Sequence, residues 1–147
     1  MLIDTNILVR IQQPHHPLYS IADSSIRQLP RQGRELHIVP QTLIELWAVA
    51  TRPVAYNGLG LTTSAALTEL ARLKRLFVLL PETPAIFPAW EALVSRYQVS
   101  GKPTHDARLV AAMQVHGLTS ILTFNASDFR RYADIEVVDP ADVASSA

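Results

Sequence analysis

An α/β domain on a mostly parallel sheet is the fold this chain predicts, and three observations point to it. Short aliphatic or β-branched runs alternate with longer stretches of helical periodicity from one end of the chain to the other. Breakers fall between the runs, among them Pro53, Gly58, Gly60, Pro81 and Gly117. The chain is 147 residues long, 48% apolar and holds only five glycines, which fits one domain with a proper core. There is no internal repeat, linker or low-complexity stretch, and only the Ala/Ser-rich end after Asp142 has the composition of a frayed tail.

The elements follow in order. Leu2–Ile3 opens the chain as a short strand, and a helical pattern covers residues 17–29. A strand is expected over residues 36–39 and a helix over 41–50, where Leu43, Leu46, Trp47 and Ala50 fall at i, i+3, i+4 and i+7. That helix is apolar almost all round, so it is expected to be covered on most sides. The next helix, residues 63–76, carries Leu67, Leu70, Leu73 and Phe77 near one face, widened by Ala66 and Leu76. It offers more apolar surface than a small domain needs, and part of it is expected to serve a homodimer together with the helix before it. A strand over residues 77–80, helices over 85–97 and 104–116, and strands over 120–123 and 135–138 complete the pattern.

Composition removes several function classes. With a formal net charge of zero, strong nonspecific attraction to nucleic acid is not expected, and clusters such as Arg72, Lys74 and Arg75 read as solvated helix faces. The absence of cysteine excludes disulfides, thiolate zinc sites and thiol catalysis, and fits a reducing, cytoplasmic setting. Asp4 and Arg10 interrupt the N-terminus, so no secretion signal and no membrane span is expected.

Four acidic residues stand where a lone carboxylate is awkward: Asp4, Glu45, Asp106 and Asp128. Asp4 ends the first apolar run, and Glu45 interrupts another on the side of its helix away from the core stripe. Asp106 heads the stripe of Leu109, Val110 and Met113 one turn from a helix start, so it is expected to look inward. Asp128 follows a strand through a short loop. Loops at the carboxyl ends of neighbouring parallel strands meet in a crevice, so Asp4 and Asp128 meet if the first and fourth strands pair. Singly, each has an ordinary structural explanation: an Asx turn at Asp4, a cap at Asp106 or Asp128, an ion pair of Glu45 with Arg52. As a set they fit acids that share a divalent cation, which removes most of the cost of burying them.

These residues also carry a family resemblance. Leu2-Ile3-Asp4-Thr5-Asn6, the Glu45 helix, the segment from His105 to Ala112 and the segment from Thr123 to Phe129 resemble the successive motifs of PIN-domain ribonucleases, most of all the VapC-type toxins of toxin–antitoxin pairs. The likeness runs from Met1 to about Pro140 and implies one PIN domain over residues 1–141, with 142–147 as a short frayed tail. It implies a three-layer sandwich whose five-stranded sheet, order 3-2-1-4-5, is flanked by helices, and an endoribonuclease that uses Mg²⁺ or Mn²⁺. Carried over position by position, Asp4, Glu45, Asp106 and Asp128 would hold the metal and catalyse. Asn125 is the polar neighbour at the fourth position, and Asn6 and Thr123 would support the site. RNA as substrate, a cognate antitoxin and a homodimer are the partners implied.

The chemistry agrees with the resemblance on independent grounds. Mg²⁺ prefers oxygen ligands, keeps several waters and shares coordination with phosphate, so a few carboxylates without His or Cys suit it. Mutual repulsion is expected to raise some of the carboxyl pKa values in the metal-free site. Arg52, Lys102 and Arg108 are candidates to touch RNA phosphate, Arg52 also to satisfy helix-end carbonyls. Competing sites are weaker: His105 and His116 are separated by ~16 Å of helix rise, and Gly58-Leu59-Gly60 lacks a phosphate-loop pattern. The alternatives are a non-cleaving PIN module that binds RNA or protein, a solitary RNA-processing nuclease, and an aspartyl phosphatase of the haloacid dehalogenase type. That last family needs a second Asp where this chain has Asn6.

Overall fold

The computed structural model describes residues 1–146. In chain order the elements are β1 (Leu2–Ile3), α1 (Thr5–Arg10), α2 (Tyr19–Arg31), β2 (His37–Ile38) and α3 (Pro40–Thr51), then a 3-10 turn (Val54–Tyr56) and α4 (Thr63–Leu76). β3 (Val78–Leu79), α5 (Ile86–Arg96), α6 (Pro103–Val115), β4 (Ser120–Leu122), α7 (Ala126–Phe129), β5 (Glu136–Val138) and α8 (Pro140–Ser145) follow. The five strands form one sheet in the order β3-β2-β1-β4-β5 with every pair parallel, as expected.

Period-two alternation explains why this sheet has an apolar layer on each face. Leu2, Val39 and Ile121 point into one core with α5 and α6, while Ile3, Ile38 and Leu122 point into the other with α1, α2 and α3. Each strand is only two or three residues long, so the helices supply most of the burial. β1 lies at the centre and pairs with β4, Ile3 opposite Leu122. The carboxyl ends of these two strands are therefore adjacent, which is the condition for Asp4 to approach the segment after β4.

Local chemistry sets the helix ends nearest the site. Asp4 is extended and accepts the Thr5 N–H at 2.7 Å, so it caps α1 rather than forming only a strand-ending turn. α3 starts at Pro40, and the Thr42 hydroxyl bonds back to the Val39 carbonyl at 2.8 Å. At its other end, the carbonyls of Val49, Ala50 and Arg52 accept from the backbone N–H groups of Leu59, Leu61 and Gly60. The returning loop thus does the work expected of the Arg52 side chain. A Cβ on Gly58 would lie 1.9 Å from the Arg52 carbonyl oxygen, so only glycine fits there.

Two expectations, on α3 and on the chain's end, need correction. The α3 helix is not covered on most sides: Leu43, Leu46 and Ala50 are core, but Ile44 is 69% exposed and Ala48 is exposed beside it. The α4 stripe divides as its surplus of apolar surface led us to expect, with Ala66, Leu73 and Phe77 buried and Leu67 and Leu76 exposed. The end after Asp142 does not fray through Ser145. It forms α8, capped by Asp139, with Val143 buried and the Ser25 hydroxyl holding the Pro140 carbonyl at 2.9 Å; Ala147 lies outside the described residues.

Candidate functional site

The site assembles at the carboxyl ends of β1 and β4 from four separate elements. Asp4 leaves β1, Glu45 stands midway along α3, Asp106 lies in the first turn of α6 and Asp128 in the short α7. Asp4 is the most enclosed. Its Oδ2 accepts from the Thr123 hydroxyl at 2.7 Å and the Asn6 amide at 3.0 Å, while Oδ1 takes the Thr5 N–H. Asn6 spans to the other strand: its Nδ2 also reaches Thr123 Oγ1 at 3.1 Å and its Oδ1 accepts the Phe124 N–H at 3.2 Å. Thr123 Oγ1 accepts the Asn125 N–H at 3.0 Å, which shapes the loop into α7. Asn6 and Thr123 thus stand directly behind Asp4. Asn125 offers only its backbone here, and its side chain is exposed.

Glu45 is held from two sides by residues that sequence reasoning missed. Its Oε2 accepts the Thr5 hydroxyl at 2.6 Å and its Oε1 accepts Gln41 Nε2 at 2.8 Å. No ion pair joins it to Arg52 among the described residues. Gln41 was legible as the residue one turn before Glu45 on the same helix face, a spacing at which side chains meet. Asp106 and Asp128 make no side-chain hydrogen bond among the described residues, so neither serves as a cap. Both are open to water or ligand, with Asp106 half-buried and Asp128 exposed.

Electrostatics ties the four together. The Asp4 carboxyl is pushed up from 3.8 to about 6, first by burial and then by the charges of Glu45 and Asp128, against the lowering effect of Thr123 and Thr5. Asp106 also rises to about 6, again first by burial, then by Asp4, Asp128 and Glu45. Repulsion is therefore present, but loss of water is the larger cause.

The donor set fits a hard cation: the four acids and the hydroxyls beside them offer oxygen, and the chain has no cysteine. As the side chains stand, no three acidic or imidazole groups among the described residues converge into a group that could hold an ion.

The three basic candidates part company. Arg108 is engaged: Nη1 donates to Gln41 Oε1 at 2.9 Å and Nη2 pairs with Glu82 at 2.7 Å. Lys102 is exposed at the start of α6, on the side from which Asp106 projects one turn later, and Arg52 is exposed beyond the far end of α3. A groove of about 1250 Å³ lies elsewhere, between residues 11–16, α2 and α4, and none of the four acids lines it. No helix among the described residues is long and apolar enough to cross a membrane.

Comparison with known proteins agrees with this architecture. The sequence profile of the PIN domain family matches residues 1–135. Among solved structures, the chain is similar to VapBC2 from Rickettsia felis bound to a DNA fragment from their promoter, at TM-score 0.70 and 13% identity, covering 94% of this chain and 96% of that one. It is similar to a toxin-antitoxin complex from Klebsiella pneumoniae at TM-score 0.64 and 22% identity, covering 95% and 96%. VapC20 from Mycobacterium tuberculosis, a sarcin-ricin loop cleaving toxin, gives TM-score 0.65 and 19% identity over 89% and 94%. Identities of this size carry the fold alone. No curated protein matches the chain.

Proposed function

The chain belongs to the PIN domain family, and we propose that it is a divalent-metal-dependent endoribonuclease acting as the toxin of a toxin–antitoxin pair. What supports the proposal is the set of acids at the carboxyl ends of β1 and β4: Asp4, bonded to Thr123 and Asn6, feels the charges of Glu45 and Asp128, and Asp106 those of Asp4, Asp128 and Glu45, both rising to about 6 chiefly through burial. Carboxylates so placed favour a cation that restores the charge balance.

Asp4, Asp106, Glu45 and Asp128 would hold Mg²⁺ or Mn²⁺. When bound, such an ion polarises the scissile phosphate and lowers the pKa of an attacking water. The chain's own residues orient and exclude. Thr123 and Asn6 fix Asp4 and cross-brace β1 to the loop after β4, while Thr5 and Gln41 hold both oxygens of Glu45. Asp106 and Asp128 keep free oxygens to receive protons from water in the crevice. With no net charge on the chain, Lys102, exposed at the start of the helix that carries Asp106, is the basic side chain we assign to phosphate, with Arg52, exposed beyond the end of α3, as the second candidate.

Similarity to a loop-cleaving toxin supports a structured RNA cut in a loop, whose backbone can be drawn into the crevice as a duplex cannot. Neighbours that are toxin–antitoxin complexes support an antitoxin partner, and the exposed Ile44, Leu67 and Leu76 on α3 and α4 support a homodimer. The test is cleavage of loop and duplex RNA by purified protein in Mg²⁺ or Mn²⁺. Excess EDTA and Asp106→Asn should each abolish it, and unchanged cleavage under either condition sinks the proposal.

A second reading, a PIN platform that binds without cutting, is favoured by one observation: the acids as they stand form no ready-made ion-binding group. Metal-dependent cleavage by the wild type excludes it.

A further inference from the structure

A chain of polar contacts runs from the surface to Glu45 and passes through one buried amide. Gln41 is 8% exposed and stands at the start of α3. Its Nε2 donates to Glu45 Oε1 at 2.8 Å and to the His105 carbonyl in the first turn of α6 at 2.9 Å, while its Oε1 accepts from Arg108 at 2.9 Å. Arg108 in turn pairs with Glu82 at 2.7 Å.

The chemistry of the partners dictates which way this amide faces. Guanidinium only donates and the carboxylate and carbonyl only accept, so the opposite orientation of Gln41 would set like against like on all three sides. Both N–H groups and the oxygen are therefore used, and the amide has a single setting. Held in that setting, it fixes Glu45 Oε1 relative to α6, the helix that carries Asp106. The Thr5 hydroxyl fixes the other oxygen, and among the described residues Gln41 is what links Glu45 to α6.

We infer that Gln41 is a positioning residue for Glu45, and that the Arg108–Glu82 pair serves to lock the Gln41 amide rather than to contact RNA. The inference rests on the proposed metal site and adds to it the residues that place its third carboxylate. Arg108 is withdrawn from the substrate contacts assigned to it on sequence grounds. Partners that orient a metal-binding carboxylate typically change affinity 10- to 100-fold when removed.

The probe is Mn²⁺ alone, titrated calorimetrically into the full chain without RNA. Gln41→Met keeps the length and apolar bulk of the side chain and removes its hydrogen bonds. It should weaken Mn²⁺ binding roughly 10-fold. In a Glu45→Ala background the same change should have almost no effect, because the group through which Gln41 acts is gone. With RNA present, the loss should fall on kcat and leave KM near the wild-type value.

Arg108→Met, at a half-buried position, supplies a second variant should Gln41→Met fold poorly, and a smaller weakening of Mn²⁺ binding is expected there too. Wild-type Mn²⁺ affinity in the folded variants, or an equal loss with and without Glu45, overturns the inference and leaves the metal-site reading standing. Failure of the wild type itself to bind Mn²⁺ at millimolar concentration overturns both.

Discussion

Replacing Asp4 by Asn should separate activity from stability, and do so with a distinctive pH signature. Asp4 is 7% exposed, and its carboxyl titrates at about 6 in the folded protein against 3.8 without that burial. The folded state therefore holds its proton more tightly than the unfolded chain. Its contribution to stability is whole below about pH 4 and is lost as the pH rises through 6. At ~1.4 kcal/mol per pKa unit, the loss amounts to about 3 kcal/mol at pH 7.5. Asn stays neutral and escapes it. Against this gain stands one mismatched contact, since the new amide nitrogen meets either the Asn6 amide or the Thr5 N–H where an oxygen accepted before. That costs about 1–2 kcal/mol.

The net expectation is a metal-free variant about 1–2 kcal/mol more stable than wild type at pH 7.5, or roughly 3–6 °C in Tm for a chain of this size. At pH 4 the order reverses, because the mismatch remains and the gain does not. Urea denaturation in EDTA from pH 4 to 8 reads the crossing directly, and cleavage in Mg²⁺ should fall by at least about 100-fold in the same preparation. A stability difference that stays constant across that range would refute the reasoning about Asp4.

Three further outcomes follow from the same geometry. Lys102→Met should weaken RNA binding several-fold, and wild-type affinity should depend on salt with a logarithmic slope no steeper than about −2; a steep slope would reveal a basic track that the zero net charge conceals. Gly58→Ala should destabilise by about 2–4 kcal/mol in urea denaturation, since its Cβ would meet backbone atoms of Arg52 at 1.9 and 2.3 Å, and a loss below about 1 kcal/mol would mean the loop shifts freely. Ile44→Glu should convert a micromolar dimer to monomer in sedimentation without lowering Tm, as Ile44 is already 69% exposed. A monomeric wild type would count against the homodimer.

The parts of the fold legible in the sequence were those governed by periodicity. All five strands and the helices α2 to α6 came from runs and breakers, and strand order came through the resemblance. What escaped was short or depended on partners far away in the chain. α1 was lost because Asp4-Thr5-Asn6 reads equally well as a turn, although a capping Asp before Ile7, Leu8 and Val9 was a usable signal. α7 and α8 are four and six residues long, below the length at which a helical period shows. Asp4, Glu45 and Asp106 drew notice because each interrupts or heads an apolar run, whereas Asp128 came only with the set and the resemblance. Gln41 drew none, since a glutamine opening a helix is ordinary until its three partners are seen. The partners of Arg108 escaped for a related reason: nothing local in a sequence shows that a guanidinium is already bound to groups 26 and 67 positions away.

The sheet separates two apolar layers, and the acids are drawn from both. Glu45 rides on α3, which packs into one layer through Leu43 and Leu46, whereas Asp106 and Asp128 ride on α6 and α7, which pack into the other through Leu109, Met113 and Phe129. Asp4 sits on the strand between them. An intact layer on one side cannot complete the crevice alone, so the site behaves as a coincidence detector for folding: it is whole only when both halves of the core have closed. On the proposed reading as a nuclease, a chain with only one of the two layers closed would lack part of its crevice and would not cut.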